Sequence, residues 1–306
     1  MMRTVGRYTA LACMLVGALA AACSGPPQRR MIPAKANPAV LAPSGSTALP
    51  SSDAATLAAL DRVIAGRHRS EANRSRDVYR HPKETLAFFG VRQDMTVMEV
   101  WPGASGWYTE VLAPLLKEHG RYIAAGLDVK SDAKFSQDSV RSFQAKLAPN
   151  PELYDKVEVA ALEYPSALAP VPPASVDLIV TFRNLHNWLA RDGAAPAMLA
   201  AMYAALKPGG VLGLVDHRAD PASPVDPKAK AGYVNQRFAI DLFERAGFEF
   251  IGSSEVNANP RDNHDHEVGV WTLPPTWRLG DRDRDKYAAI GESDRFTLRF
   301  RKPLAR

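Results

Sequence analysis

Three groups of residues in this 306-residue chain have the types and spacing to do chemistry. The first is Val97 to Thr109, VMEVWPGASGWYT, an apolar run that carries Glu99 and enters a Pro-Gly-Ala-Ser-Gly turn. Small residues after a strand let backbone N–H groups approach a ligand closely, and a following helix adds its positive end. The segment therefore reads as a cradle of the nucleotide type. The second group, Phe182 to Trp188, offers a guanidinium (Arg183), two amides (Asn184 and Asn187), an imidazole (His186) and two aromatic rings. The third is Asp216-His217-Arg218. An imidazole of ordinary pKa near 6.5 accepts a proton at neutral pH. His186 is read as a base or as a cap of the next helix, and His217 as a base or as a structural group bonded to a neighbouring carboxylate. Arg218 either holds an acidic ligand or forms a surface ion pair, the commoner fate.

These groups need elements to position them. Strand-like runs occur at Thr96 to Trp101, Arg121 to Gly126, Lys156 to Ala161, Val176 to Phe182 and Val211 to His217. Helical patterns lie between them, near Trp107 to Glu118, Gln137 to Leu147 and Ala195 to Leu206. Such alternation predicts a parallel, doubly wound α/β sheet whose strand C-termini border the ligand crevice. Ala54 to Ala65 and Ser70 to Phe89 read as helices capping that sheet. Later come a helix near Tyr233 to Ala246, a strand from Phe248 to Glu255, and Arg295 to Arg301. In that last run Phe296, Leu298 and Phe300 alternate with polar residues at period two, so it is expected in an antiparallel pair.

The N-terminus carries a different message. Arg3 and Arg7 precede an apolar run, Tyr8 to Ala22, too short to span a bilayer comfortably, and Cys23 follows. Residues 1–22 are expected to be an export signal. The Ala-Ala-Ala-Cys junction resembles the lipobox of bacterial lipoproteins, with Ala20 where Leu is usual, which implies lipidation of Cys23. Ordinary secretion with a cut at the same bond is the alternative. Residues 23–52 then form a lipidated tether rich in Pro, Ala and Ser, residues 53–306 one α/β domain, and residues 256–294 a long insertion or lid. The expected location is the periplasmic face of a bacterial membrane. The two cysteines, Cys13 and Cys23, leave the mature domain without a thiol. Losing the signal removes Arg3 and Arg7 and lowers the formal charge from +5 to +3, which argues for no dedicated nucleic-acid surface.

Glu-Val-Trp-Pro-Gly-Ala-Ser-Gly, Asp128 at the end of the second strand, and LKPGGVLGLV from Leu206 to Val215 together resemble the class I S-adenosylmethionine-dependent methyltransferases. More narrowly, EVWPGASGWYTEVLAP, TFRNLHNW, VDHRA and the tail from Val270 resemble a family of predicted bacterial methyltransferases, several of them exported. The resemblance implies a Rossmann-like seven-stranded sheet in an α/β/α sandwich, its last strand antiparallel. It also implies S-adenosyl-L-methionine as cofactor, held by Glu99, Trp101, Gly103, Ala104, Ser105, Gly106, Tyr108, Asp128, Arg183 and Asn184. Trp101 departs from the class pattern by standing where the first Gly is expected. Asp128 would take the ribose hydroxyls, with a turn cap as the alternative. Glu163 would meet the adenine amino group or face solvent.

Methyl transfer needs alignment and, for a hydroxyl or amine acceptor, removal of a proton, for which His217 and His186 are the candidates. His264, Asp265, His266 and Glu267 have metal-ligand chemistry but read as a polar loop, and no metal is expected. Two function classes stand. One is a methyltransferase acting on a small or envelope-associated acceptor. The other is an exported binding or scaffold lipoprotein that kept the cradle without transfer.

Overall fold

The computed structural model describes residues 51–304. The signal, Cys23 and nearly all of the tether lie outside those residues. Four helices precede the sheet: α1 (Ala54–Ile64), α2 (Glu71–Arg74), α3 (Asp77–Arg80) and α4 (Pro82–Phe89). Asp53 caps α1 by accepting the Thr56 N–H at 2.7 Å. The single helix expected over residues 70–89 is thus three short ones. His81, just before Pro82, sits in the left-handed region at φ 41°, outside the right-handed helical conformation that a following proline ring disfavours. The break turns the chain between Arg80 and α4.

The remaining elements alternate as β1 (Thr96–Val100), α5 (Thr109–Leu116), β2 (Arg121–Gly126), α6 (Lys134–Leu147), α7 (Pro151–Tyr154), β3 (Val157–Ala161), β4 (Val176–Phe182), α8 (Leu185–Leu189), α9 (Ala194–Ala205), β5 (Leu206–His217), α10 (Gln236–Arg245), β6 (Glu249–Ser254), α11 (Arg284–Ile290) and β7 (Arg295–Arg301). β5 begins five residues earlier than expected, since Leu206 already pairs with Val176 across a register shift. α5 starts at Thr109, two residues later than expected.

The sheet has seven strands in the order β3-β2-β1-β4-β5-β7-β6. β1 to β5 pair in parallel, and β7 inserts antiparallel between β5 and β6. Successive strand residues feed opposite faces. Met98, Val100, Ile123 and Leu212 pack with α8, α9 and α10, whereas Val97, Ala124, Leu178 and Val215 pack with α1, α4 and α5. The result is an α/β/α sandwich. The chain moves outward from β1 through β2 to β3, then returns to β4 on the other side of β1, so the strand order reverses between β1 and β4. Ligand crevices form at such a switch point, outside the strand C-termini.

The link from β6 to β7 crosses the strand ends and is pinned there. Buried Asp262 accepts from the Tyr233 hydroxyl at 3.0 Å and from the backbone N–H groups of His264 and Asp294 at 2.9 and 2.8 Å. Asp294 in turn takes both Nε and Nη2 of Arg218, at 2.9 and 3.0 Å. Among the described residues no helix is long and apolar enough to cross a membrane.

Candidate functional site

A cleft of about 700 Å³ opens at the C-terminal ends of β1 to β4. Its floor comes from the turns after these strands: Trp101, Pro102 and Gly103 after β1, Gly126 and Leu127 after β2, Glu163 and Tyr164 after β3, and Asn184 and Asn187 after β4. α6 supplies one wall through Phe135 and Ser136. A Cβ placed on Gly103 or Gly126 would meet nothing within 4 Å, so both backbones face open space. Gly103 has φ +72°, a conformation that side chains disfavour.

Trp101 adopts φ +54°, the left-handed region that explains why a glycine is expected there. Its Nε1–H donates to the Leu162 carbonyl at 2.7 Å, and its ring meets Trp188 edge-on at 5.9 Å. Asn184 is held by three bonds from Nδ2, to the carbonyls of Val100 (2.9 Å) and Trp101 (3.4 Å) and the hydroxyl of Thr181 (3.1 Å). β1, β4 and the cleft floor are thereby locked together.

Trp101, Gly103 and Asn184 are the residues named from the sequence as cofactor contacts that line this cleft. Ala104 and Ser105 are exposed outside it, and Gly106 is buried close to Thr109 and Phe143. Glu99 points away, to the α5 face, where it accepts from the hydroxyls of Tyr122 and Thr109. Burial pushes its carboxyl up to about 7 despite those two bonds. Tyr108 stacks on Phe182 with ring centres 3.5 Å apart, on the far side of the β1 turn. Asp128 is buried and its Oδ1 accepts the Lys130 N–H at 2.9 Å, the turn-cap geometry. Glu163 does not face solvent: it is buried between the Ser136 hydroxyl and the Asp128 N–H, both at 2.8 Å. Phe135, 77% exposed on α6, is a wall that sequence reading missed. Its only signal was an apolar residue in a polar helical turn.

The two imidazoles sit beside the cleft. Asp216, at 0% exposure, accepts from its neighbour's backbone N–H and from that of His186, and pairs with His186 Nδ1 at 2.8 Å. His217 Nδ1 meets the Ser293 hydroxyl at 2.5 Å, and the two rings lie 5.1 Å apart. Burial, together with His186 and the guanidinium of Arg183, drives the His217 pKa well below its ordinary value. His217 is thus a neutral imidazole, and in the tautomer whose Nδ1–H donates to Ser293 its Nε2 is a hydrogen-bond acceptor.

A hollow of about 300 Å³ shares Asn187 with the cleft and is also lined by His186 and Trp271. A further cavity of about 100 Å³ lies under the β6–β7 connection and is lined by Arg183, His186, His217, Trp271 and Ser293. Arg183 thus faces this cavity and not the cleft. Arg218 forms the ion-pair alternative, with Asp294 and Glu255. The loop histidines diverge: His264 turns to Asp294, and His266 to Asp262.

No family model matches this sequence, and no curated protein matches it. Its fold does have solved counterparts. A SAM-dependent methyltransferase from Aquifex aeolicus superposes with a TM-score of 0.50 at 19% identity, covering 74% of this chain and 93% of the other. The [4+2]-cyclase SpnF superposes with a TM-score of 0.52 at 18% identity, covering 79% and 86%. At these identities the likeness shows a shared architecture. This chain has the Rossmann-like fold of class I methyltransferases, with the antiparallel β7 between β5 and β6.

Proposed function

We propose that this chain is an S-adenosyl-L-methionine-dependent methyltransferase, with the cofactor in the large cleft and the acceptor on the His186–His217 side. The observation that carries the proposal is the position of the cleft. It lies at the β1/β4 switch point, and two glycine backbones open into it where added carbons would find free space. The residues present suit the group. Backbone around Gly103 and Gly126 admits a close ligand, Phe135 and Val159 give apolar walls, and Glu163, Ser136 and Asn184 give polar ones. A volume of about 700 Å³ lies in the range of small-molecule sites.

When bound, the sulfonium would supply an electrophilic methyl group. The protein's tasks are then alignment and proton removal. Asn187, shared by the cleft and the adjoining hollow, marks the passage between cofactor and acceptor. His217, held neutral by burial among cations that make it a weak base, orients a protic acceptor by accepting its hydrogen bond at Nε2 in the tautomer whose Nδ1–H donates to Ser293. Asp216 fixes the His186 ring and the backbone of both histidines.

The same proposal places the protein at a bacterial envelope, exported by residues 1–22 and anchored through a lipid on Cys23, as the N-terminal apolar run and the lipobox-like Ala-Ala-Ala-Cys junction imply. Mass spectrometry of the mature N-terminus should find a diacylated Cys23, and an unmodified cysteine would remove the anchor from the proposal. For the main reading, calorimetric titration of the full chain with S-adenosylhomocysteine should show saturable 1:1 binding. No binding would overturn it. Binding without transfer to any component of an envelope extract would favour the scaffold reading.

A further inference from the structure

Four guanidiniums converge beneath the β6–β7 connection, those of Arg76, Arg80, Arg183 and Arg295, and one carboxylate, Glu292, faces them. Glu292 is already taken. Its Oε1 accepts from Arg76 Nε at 2.5 Å, and its Oε2 lies 3.1 Å from Arg295 Nη1 and 3.7 Å from Arg80 Nε. The nearest other carboxylate, Asp216, is spent on His186 and on two backbone N–H groups. Among the described residues no carboxylate lies within ion-pair distance of Arg183. Its Nε is buried without a hydrogen-bond partner, as are Nε and Nη2 of Arg80, a residue only 5% exposed, and Nη2 of Arg76.

Buried cations ordinarily carry a counter-charge, since removing one from water without it is costly. Here one of these cations, Arg183, lines a cavity of which Glu292 also forms a wall, while Arg80 and Arg295 share a smaller space with Arg183. Arg183 as a whole is only partly buried, and it borders the 100 Å³ space beside His186 and His217, whose rim at Pro275 and Thr276 is exposed. Its backbone is also unusual: a left-handed φ of +61° directly after β4, held by its N–H donating to the Val215 carbonyl at 2.7 Å. A non-glycine residue kept in that conformation signals a position that the surrounding structure over-determines.

We propose that the cavity under the β6–β7 connection is an oxyanion site, and that the acceptor is an organic anion whose charged end rests on Arg183 and whose apolar body lies against Trp271, Val270 and Pro274. The designation of this molecule as the acceptor rests on the methyltransferase reading, while the anion site itself does not. The same cations oppose the other candidate here. Donor atoms of His186, Asp216 and His217 lie within 4.8 Å of one another, a grouping that could hold a metal ion. A divalent cation there would face Arg183, Arg80 and Arg295, the charges that already disfavour the protonated form of His217. Anion binding relieves that repulsion and metal binding adds to it.

The test is thermal melting of the full chain in sodium benzoate, inorganic phosphate or zinc chloride, at constant ionic strength made up with sodium chloride, alongside calorimetry with S-adenosylhomocysteine. The wild type should gain melting temperature with benzoate, saturably, as mass action requires of a ligand that binds the folded state. Arg183→Gln should weaken that response at least tenfold, and Arg183→Lys should retain most of it. Affinity for S-adenosylhomocysteine should be unchanged in both, because Arg183 does not border the cleft. A larger response to benzoate than to phosphate assigns the apolar wall as drawn, and equal responses leave the oxyanion site without it. No response to either anion overturns the proposal, as does an equal response in Arg183→Gln or stabilisation by zinc instead. Should Arg183→Gln fail to fold, the saturable response of the wild type and its retention in Arg183→Lys decide the question. Anion binding without S-adenosylhomocysteine binding would preserve this site and remove the methyltransferase reading, and the converse would do the opposite.

Discussion

At the scale of single residues, physical demand and residue type part company at three positions. Trp101 occupies a left-handed conformation that costs a side chain about 1–2 kcal/mol, and its bond to Leu162 and contact with Trp188 offset that strain. Removing the indole separates the two effects. Trp101→Gly should be more stable than Trp101→Ala by about 1 kcal/mol, although both fall below the wild type. Chemical denaturation measures it, and an alanine variant as stable as the glycine one would show that the strain is absent.

Glu99 is the second case. Its folded pKa, about 7, lies above the ordinary 4.5, so folding favours the protonated form and stability declines as pH rises from 4.5 to 7. Glu99→Gln should therefore be more stable than wild type at pH 8, by as much as about 3 kcal/mol, and by less than about 1 kcal/mol at pH 5. A gain of equal size at both pH values would place the cause elsewhere. Asp128 is the third. If its work is to cap Lys130 and shape the loop beside the cleft, Asp128→Asn keeps S-adenosylhomocysteine affinity within about twofold, while Asp128→Ala loses severalfold. Equal losses in calorimetry would indicate direct contact with the ligand.

At the scale of elements, the β6–β7 connection does what the strands cannot. β4 and β5 bring Arg183, His186, Asp216 and His217 to one edge, but the cavity beside them exists because Val270, Trp271, Pro274 and Ser293 cover it. That cover hangs on Asp262, whose side chain is at 0% exposure and accepts from four separate partners. Asp262→Ala strands those donors and should cost about 3–5 kcal/mol, concentrated in the connection. Limited proteolysis should then cut within residues 256–294 well before the sheet, and uniform cleavage along the chain would argue against a separately anchored cover. The break at His81–Pro82 matters in the same way. A continuous helix over residues 70–89 would carry the chain straight on past Arg80, whereas the turn sets Arg76 and Arg80 on Glu292.

For the whole molecule, several buried groups set the response to pH with opposite signs. Burial pushes the carboxyl of Glu292 up, but Arg295, Arg80 and Arg76 outweigh it and hold the pKa at about 2. Asp294 is likewise held low, by His264 and Arg218. Stability from these two is present above the ordinary carboxylate range and lost as pH falls from that range through their lowered values. The bond to Asp294 raises His264, so its contribution is complete below 6.5 and lost as pH rises through the raised value. Glu99 acts in the same direction as His264. His217, with its lowered pKa, acts in the opposite direction below 6.5 and offsets Glu99 there, so the melting temperature should change little between about pH 4.5 and 6.5 and fall on both sides of that interval. A maximum above pH 8 would show that the Glu99 and His264 shifts are absent.

The sequence by itself determined the layered fold. Alternation of strand and helix periods is local, and the observed bounds of β2, β4 and β7 coincide with runs legible in the residues. The turn after β1 and the histidines at the ends of β4 and β5 were legible for the same reason, because a parallel sheet gathers its strand C-termini on one edge. Only the tertiary structure decided which way each side chain on that edge faces. Glu99 and Tyr108 turn to the α5 side, and Asp128 turns into its own loop. Arg76, Arg80 and Arg295, separated by up to 216 residues from their partners, meet at Glu292, and Arg183 lies among them without an ion pair of its own. Local pattern encodes the period of an element. The direction of a side chain and the sum of charge around it are set by groups distant in sequence, and those meet only when the chain has closed.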